Sequence, residues 1–425
     1  MASTRPNQPD GTTGTDLLIA GRGNAARVTA LALAAAGLPV AIEPISKPHD
    51  APAWQSVLAL SPTAKTMLET LGVWSRLEAP HAPICDMRVF GSAAAIGDDF
   101  LPSRLGFGAS HATTDDQDAA PLLGHIVSLA DLGRALHAAL GAAIDKMQIS
   151  VLEAPISGFD ADTQTVQLDD DTDFKTALFV DCQRDAAWHA RMAAVAHDYQ
   201  AAALVGTLNG ARAHENRATQ IFLPDGPLAL LPLPDPHQRA LVWSLPTAKA
   251  AALADAAMQA ETLFCHELTA ATQDRLGALR PYGPFATQKL SLYLAQDFCA
   301  PHHVLLGDAA HVVHPLAGQG FNLTLRDAAA LADQLHAARS LGLPLYDAAL
   351  LADYARRRRA DAALMVGATH GLARLFQGRL AAWARLGMGL VGTATQAHAP
   401  LRAGFVRHAN GGEDLPRLMR GDAFE

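Results

Sequence analysis

The stretch Val304–Leu331, VLLGDAAHVVHPLAGQGFNLTLRDAAAL, decides how the rest of this 425-residue chain is read. It opens on a short apolar run, Val304-Leu305-Leu306, of the length of a buried strand and too short for a helix. Gly307-Asp308 breaks the run. Pro315 follows His311 and His314, and its fixed φ and missing N–H rule out one continuous helix. Gly318-Gln319-Gly320 sets an amide between residues without a Cβ, where backbone can approach a ligand closely. From Asn322 onward, Leu323, Leu325, Ala328 and Leu331 recur in a helical pattern. Strand, acidic turn, glycine-flanked loop and helix together aim backbone N–H groups and a helix N-terminus at an anion or a polar ring edge. A carboxylate beside a phosphate would be repelled, so the expected partners of Asp308 are hydroxyls of a sugar-like chain.

A second strand–turn–helix opens the chain. Asp16–Ala20 reads as a strand, Gly21-Arg22-Gly23-Asn24-Ala25-Ala26 as a turn, and the Ala/Leu-rich residues to about Ala36 as a helix stopped by Gly37. Pro39–Glu43 is the next strand. Its terminal acid lies about 20 residues past the glycines, where a dinucleotide-binding βαβ unit needs a partner for ribose hydroxyls. A pyrophosphate would sit on the helix N-terminus near Asn24 and Ala25. Ala26 holds the third glycine position, a change the fingerprint tolerates.

Between these motifs the pattern is mixed. Ser61-Pro62 starts a helix that ends at Gly72. Leu129–Leu140 is helical. Gln148–Ala154 and Thr163–Leu168 read as strands of a small hairpin sheet with Asp169-Asp170-Asp171 as a charged turn, and Thr176–Asp181 as another strand. Tyr199–Thr207, Gln220–Ser244 and Ala240–Leu245 supply further strands, Ala248–Leu279 looks helical, and Ala286–Leu294 is a strand leading back to the first motif. The fold class expected is α/β: a Rossmann-like domain (16–80, 125–190 and 286–340), an interleaved mixed-sheet substrate domain (81–124 and 191–285), and a helical C-terminal region (341–425). Residues 1–15 read as a disordered lead-in with no apolar core of a signal peptide. Arg356-Arg357-Arg358-Arg359 is either a solvated face or, in an amphipathic helix, a contact for an anionic membrane.

Composition narrows the function. Half of the residues are hydrophobic and 18% are charged, which is globular. A net charge of −9 argues against nucleic acid as a partner. Cys85, Cys182, Cys265 and Cys299 have no CxxC spacing and read as thiols of a reducing, cytoplasmic compartment. No apolar run is long enough to span a membrane. There is no GxSxG, HExxH or P-loop, and His311 and His314 lack companions at ligand spacing, so no metal is expected.

The stretch GDAAHVVHPLAGQGFNLTLRDAAAL resembles the second flavin motif of the p-hydroxybenzoate hydroxylase class of flavoprotein monooxygenases, and more narrowly the ubiquinone-biosynthesis ring hydroxylases. The pieces GPLALLPL and VWS within Phe222–Ser244 are similar to that family too. The resemblance implies FAD, with Gly21, Gly23, Asn24, Ala25 and Glu43 on its adenosine diphosphate half and Gly307-Asp308 on its ribityl chain. It places Pro315 beside the isoalloxazine ring and Gly318, Gln319, Gly320 and Asn322 at the pyrimidine end. It implies NADPH or NADH as reductant, O2 as co-substrate, a polyprenyl phenol as the ring hydroxylated, and possible contact with the inner membrane face or a biosynthetic complex. The chain departs from the family at two places. Ser56 stands where relatives carry Arg, and Cys182, Asp185 and Trp188 replace Gly, Ser and Arg of an A-D-G-x-x-S-x-x-R motif, while Asp181 matches. Losing that Arg removes a cation that could meet phosphate. Two alternatives stay open: a monooxygenase of another aromatic substrate, and a non-catalytic member serving as scaffold.

Overall fold

The computed structural model describes residues 15–47, 56–91, 122–184, 194–313, 320–376 and 415–424. The chain is α/β and built on two large sheets. The first contains β1 (Thr15–Ala20), β2 (Val40–Ile42), β7 (Ile149–Val151), β10 (Asp173–Asp181), β16 (Cys299–Ala300) and β17 (His303–Leu305) in the order β16-β17-β10-β1-β2-β7. From β17 to β7 every pairing is parallel. Parallel neighbours need crossover connections. α1 (Asn24–Ala35) joins β1 to β2, and α3 (Leu129–Asp145) leads into β7. Strands covered on both faces read as continuous apolar runs, and Leu17, Leu18, Ile19 and Ala20 are all 0% exposed.

Two strand assignments differ from expectation here. Gln148–Ala154 was expected in the hairpin sheet, but β7 pairs in parallel with β2. The reason is the helix before it: α3 returns the chain across the sheet, and Ile149 joins the core beneath α1 and α3. The hairpin partner of β9 (Thr165–Leu168) is β8 (Ile156–Asp160), and β9 turns through Asp169–Asp171 into β10.

The second sheet runs β18-β15-β11-β14-β13-β12-β5. Its members are β5 (Asp86–Gly91), β11 (Ala194–Gly210), β12 (Arg217–Leu223), β13 (Gly226–Pro232), β14 (Gln238–Pro246), β15 (Leu279–Ala295) and β18 (His311–Val312). Only β12 with β5 is parallel. The strand expected at Ala286–Leu294 is the second half of β15, which belongs to this sheet and starts at Leu279. Pro281, Gly283 and Pro284 suggest a loop there. Yet β18 covers only Tyr293–Leu294, so the rest of β15 is an edge, where proline is tolerated. Ala248–Leu279 holds two helices, α4 (Thr247–Gln259) and α5 (Glu261–Thr272), broken at Ala260 with φ −142° and ψ 59°. Their Ala250, Leu253, Phe264 and Leu268 pack on Leu204, Leu208 and Trp243 of the sheet.

β3 (Val57–Leu60), β4 (Ala82–Ile84) and β6 (Gly124–Ser128) form a small third sheet. After β3, Ser61 caps α2 (Pro62–Thr70), its Oγ accepting the Ala64 N–H at 3.1 Å. His125 of β6 is 6% exposed, and among the described residues neither ring nitrogen has a hydrogen-bond partner. It meets His81 edge-on at 4.8 Å and Trp74 at 5.3 Å. Burial first, then the charges of His81 and Lys65, lower its pKa to about 4. The unfolded chain therefore binds the extra proton more readily. This contribution is whole above about pH 6.5 and is lost as pH falls toward 4, up to about 3 kcal/mol. His125→Phe should flatten the fall in urea-unfolding free energy between neutral pH and about pH 5; an unchanged slope would refute that assignment.

α6 (Gly320–Ser340) and α7 (Ala348–Phe376) complete the described core, and Leu418 and Met419 pack back against it. Arg356–Arg359 is not one basic face. Arg356, Arg357 and Arg359 are exposed, but Arg358 is buried because α7 packs on α6 and aims it at a buried carboxylate. Among the described residues no helix is long and apolar enough to cross a membrane, which says nothing of strands.

Candidate functional site

The parallel strands end together. Register pairs Ala20 with Asp181, Asp181 with Leu305, and Ile19 with Ile42. Gly21, Glu43, Cys182 and Leu306-Gly307 therefore all leave from the carboxyl edge of the first sheet, where open α/β sheets bind ligands.

Gly21 has φ +125°, and a Cβ there would lie 3.2 Å from Cys182 Cβ and 3.3 Å from Ala26 Cβ. This is the tight turn of the fingerprint, packed strand against helix. Gly23 is the N-cap of α1, and no side chain caps the helix. A Cβ at Gly23 would meet nothing within 4 Å, so open space faces the first-turn N–H groups of Asn24 and Ala25. The Asn24 side chain is used inside the helix, its Oδ1 accepting from Arg27 Nη1 at 2.7 Å. Glu43 is 0% exposed. Its Oε1 accepts the Gly21 N–H at 3.0 Å and lies 3.3 Å from Arg22 Nε, while Oε2 accepts the Ile156 N–H at 3.3 Å.

The second motif touches the first. β17 runs into a turn of 3-10 helix, Gly307–Ala309, and then into β18, so the motif carries the chain from one large sheet to the other. Gly307 has φ +61°, and a Cβ there would lie 3.2 Å from Ala25 Cβ and 3.2 Å from Thr324 Cγ2. Asp308 follows Gly307 in this turn and is exposed to solvent. Desolvation raises its carboxyl above the ordinary range, opposed by the charges of His311 and Arg184.

Beneath this turn lies a charged network with no counterpart among the residues expected from sequence. Asp327 of α6 is 0% exposed. Its Oδ2 lies 2.6 Å from His311 Nε2 and accepts the Gly307 N–H at 3.3 Å, and its Oδ1 accepts from Arg358 Nε at 2.7 Å. Arg358 Nη1 also donates to Asp361 Oδ2 at 2.8 Å, and Arg326 Nη1 stands 3.4 Å from the same oxygen. Buried charges persist only when paired and hydrogen-bonded, so this network fixes the Gly307 turn onto α6 and α7. A signal was present in LTLRDAAAL, a charged pair inside an otherwise apolar helix turn.

Asn322 is also 0% exposed. Its side chain bridges the corner between β3 and α2, accepting the Ser61 N–H at 3.0 Å and donating to Ala59 O at 2.8 Å. It therefore ties the start of α6 to that corner. Gly320 begins α6, while Pro315, Gly318 and Gln319 lie outside the described residues.

The departure at Cys182 is absorbed internally. Its Cβ packs on Gly21, and its buried thiol donates to Thr29 Oγ1 of α1 at 3.8 Å, so the added side chain points into the core. The lost family Arg does not leave the edge without a cation, because Arg184 stands there. Its Nη1 donates to Ser291 Oγ at 3.3 Å and its guanidinium lies 5.7 Å from the Tyr293 ring centre. Asp185 and Trp188 fall outside the described residues.

An open helix N-terminus for an anion, a buried acid one strand away and an exposed acid on the Gly307 turn that packs against α1 form a donor and acceptor set that fits a dinucleotide carrying a sugar-alcohol chain. Among the described residues no three His, Cys, Asp or Glu side chains are grouped to hold a metal.

Comparison with known proteins agrees with this chemistry. A family model described as FAD binding domain matches residues 190–369, a span that holds Gly307-Asp308 and every strand of the second sheet except β5, but not Gly21–Ala26. Ubiquinone hydroxylase UbiL of Rhodospirillum rubrum is 33% identical over 425 residues, covering 96% of this chain and 92% of that protein. The 3-demethoxyubiquinol 3-hydroxylase of Escherichia coli is 30% identical over 370 residues, covering 84% of this chain and 88% of that protein. Among solved structures, P. aeruginosa PqsL matches with a TM-score of 0.68 at 22% identity, over 88% of this chain and 99% of that one, a likeness of fold alone. With its two flavin-type turns at one sheet edge and this near full-length identity, the chain belongs to the FAD-dependent aromatic-ring hydroxylases of ubiquinone biosynthesis, within the p-hydroxybenzoate hydroxylase class of flavoprotein monooxygenases.

Proposed function

We propose that this protein adds one oxygen atom from O2 to the aromatic ring of a polyprenyl phenol, using FAD reduced by NADPH or NADH. The observation that carries the reading is the meeting of Gly21–Ala25, Glu43 and Gly307-Asp308 at one carboxyl edge, in a chain related over most of its length to a ubiquinone hydroxylase. Bound FAD would supply the oxygen activation that no side chain can. The chain's own part is to bind, orient and exclude water. In this assignment the N–H groups of Asn24 and Ala25 hold the pyrophosphate, Glu43 the ribose and Asp308 the ribityl hydroxyls. Pro315, Gly318, Gln319 and Gly320 flank the ring, and Asn322 sets the β3–α2 corner beside it. The first sheet and its helices serve the cofactor, and the second sheet walls the substrate. We further propose a cytoplasmic protein touching the inner membrane face through the exposed Arg356, Arg357 and Arg359 of α7. Asp353 pairs with the first two, which limits their pull on anionic lipid.

The test is the purified full chain. A yellow protein that oxidises NADPH or NADH faster with a prenylated phenol, and yields a product heavier by one oxygen, supports the proposal. Oxidation stimulated only by soluble aromatic acids would replace the substrate class, and a colourless protein that takes up no FAD would support a scaffold role instead.

A further inference from the structure

Glu43 has three donors within the protein. Two of its three donors are backbone N–H groups, from Gly21 and Ile156, fixed by the sheet. The third is Arg22 Nε at 3.3 Å, on a side chain 46% exposed. Arg22 sits in the turn just before the uncapped N-terminus of α1, where Gly23 leaves open space. One guanidinium therefore stands between two demands. A ribose hydroxyl needs the Glu43 oxygen that Arg22 covers, and a phosphate at the helix N-terminus attracts the same guanidinium.

We propose that Arg22 is an exchange lid and a specificity-determining residue: it closes over Glu43 until a nucleoside diphosphate arrives, then moves to the phosphates and yields Glu43 to the ribose. The inference rests on the FAD reading of this edge. The exchange is balanced. A half-exposed ion pair is weak and easily broken, while a charge-assisted bond from a guanidinium to phosphate is among the stronger hydrogen bonds. Glu43 meanwhile keeps both backbone donors and is never left buried without partners. Adenosine, with a ribose and no phosphate, must displace Arg22 and gives it nothing in return. ADP gives it a new partner.

The experiment is displacement of FAD from the full-length holoprotein by ADP and by adenosine, followed by recovery of free flavin fluorescence. The ratio of the two midpoints cancels any change in FAD affinity. Arg22→Gln should shrink the ADP-over-adenosine preference by about tenfold, weakening ADP while adenosine binds up to about threefold tighter; adenosine left unchanged would reduce Arg22 to a phosphate contact and overturn the lid. Arg22→Lys, which keeps the charge, should restore part of the preference. If the variant leaves the ratio unchanged, or weakens both ligands alike, the lid is wrong while the cofactor site stands. If the wild-type protein holds neither FAD nor ADP, the cofactor reading fails and the lid with it.

Discussion

Asp327→Ala lowers the unfolding free energy by about 3–5 kcal/mol and loosens the hold on flavin. The carboxylate is fully buried and takes three donors, from Gly307, His311 and Arg358. Burial alone would raise its pKa, but the charges and hydrogen bonds of His311 and Arg358 outweigh that and hold it below the ordinary carboxylate value. A carboxyl with a depressed folded pKa contributes stability that is whole above its unfolded pKa of 3.8 and is lost as pH falls through the folded value, so the full effect is present at neutral pH. Removing the acid leaves the Nε of Arg358, a residue 7% exposed, without its acceptor and only Asp361 to pair the guanidinium, and it leaves the Gly307 N–H without its acceptor. Urea unfolding of the purified variant measures the first consequence and the FAD dissociation rate the second. A loss below about 1 kcal/mol, the range of an exposed pair, would show the network to be incidental.

Gly21→Val and Gly23→Ala separate two uses of glycine in one turn. At Gly21, φ +125° admits almost no side chain, and the new Cβ would press on Cys182 and Ala26 at 3.2 and 3.3 Å. Backbone strain and overpacking together predict a loss of about 2–5 kcal/mol. At Gly23 the backbone is ordinary, φ −93°, and among the described residues a Cβ meets no atom within 4 Å. The stability change there should stay under about 1 kcal/mol. The added methyl instead occupies the space assigned to the pyrophosphate, so FAD affinity should fall about tenfold without unfolding. Denaturant titration and FAD titration of both variants check this. Equal stability losses, or a Gly23→Ala protein that binds FAD as well as wild type, would contradict it.

The elements carrying the site were readable because their signals are local. A four-residue apolar run before Gly21, a glycine at a positive φ before Asp308 and a Ser-Pro helix start at Ser61 each specify backbone geometry within a few residues. What escaped depends on packing between distant segments. The place of β7 is set by the helix that returns the chain, and the reach of β15 by its pairing with β11. Arg358 looks like one of four equivalent arginines until α7 docks and turns it toward Asp327. Asn322 is expected at the pyrimidine end of the flavin, and its amide also closes a corner with residues more than 250 positions earlier, a packing role that no local pattern announces. Cys182 stands where the family has glycine, and only the fold shows its side chain entering the core beside Gly21. Periodicity states that a face is buried and cannot state against what.

Titration of the flavin-stripped protein with FAD, wild type against Asp308→Ala, tests the central assignment most directly. Asp308 is exposed and, among the described residues, accepts no hydrogen bond from the core, so its removal should leave the fold intact. Losing a charged acceptor for the ribityl hydroxyls predicts FAD bound about 10- to 100-fold more weakly by the variant. Equal affinity in the two proteins, or no FAD uptake by the wild type, would contradict a flavin seated on the Gly307-Asp308 turn.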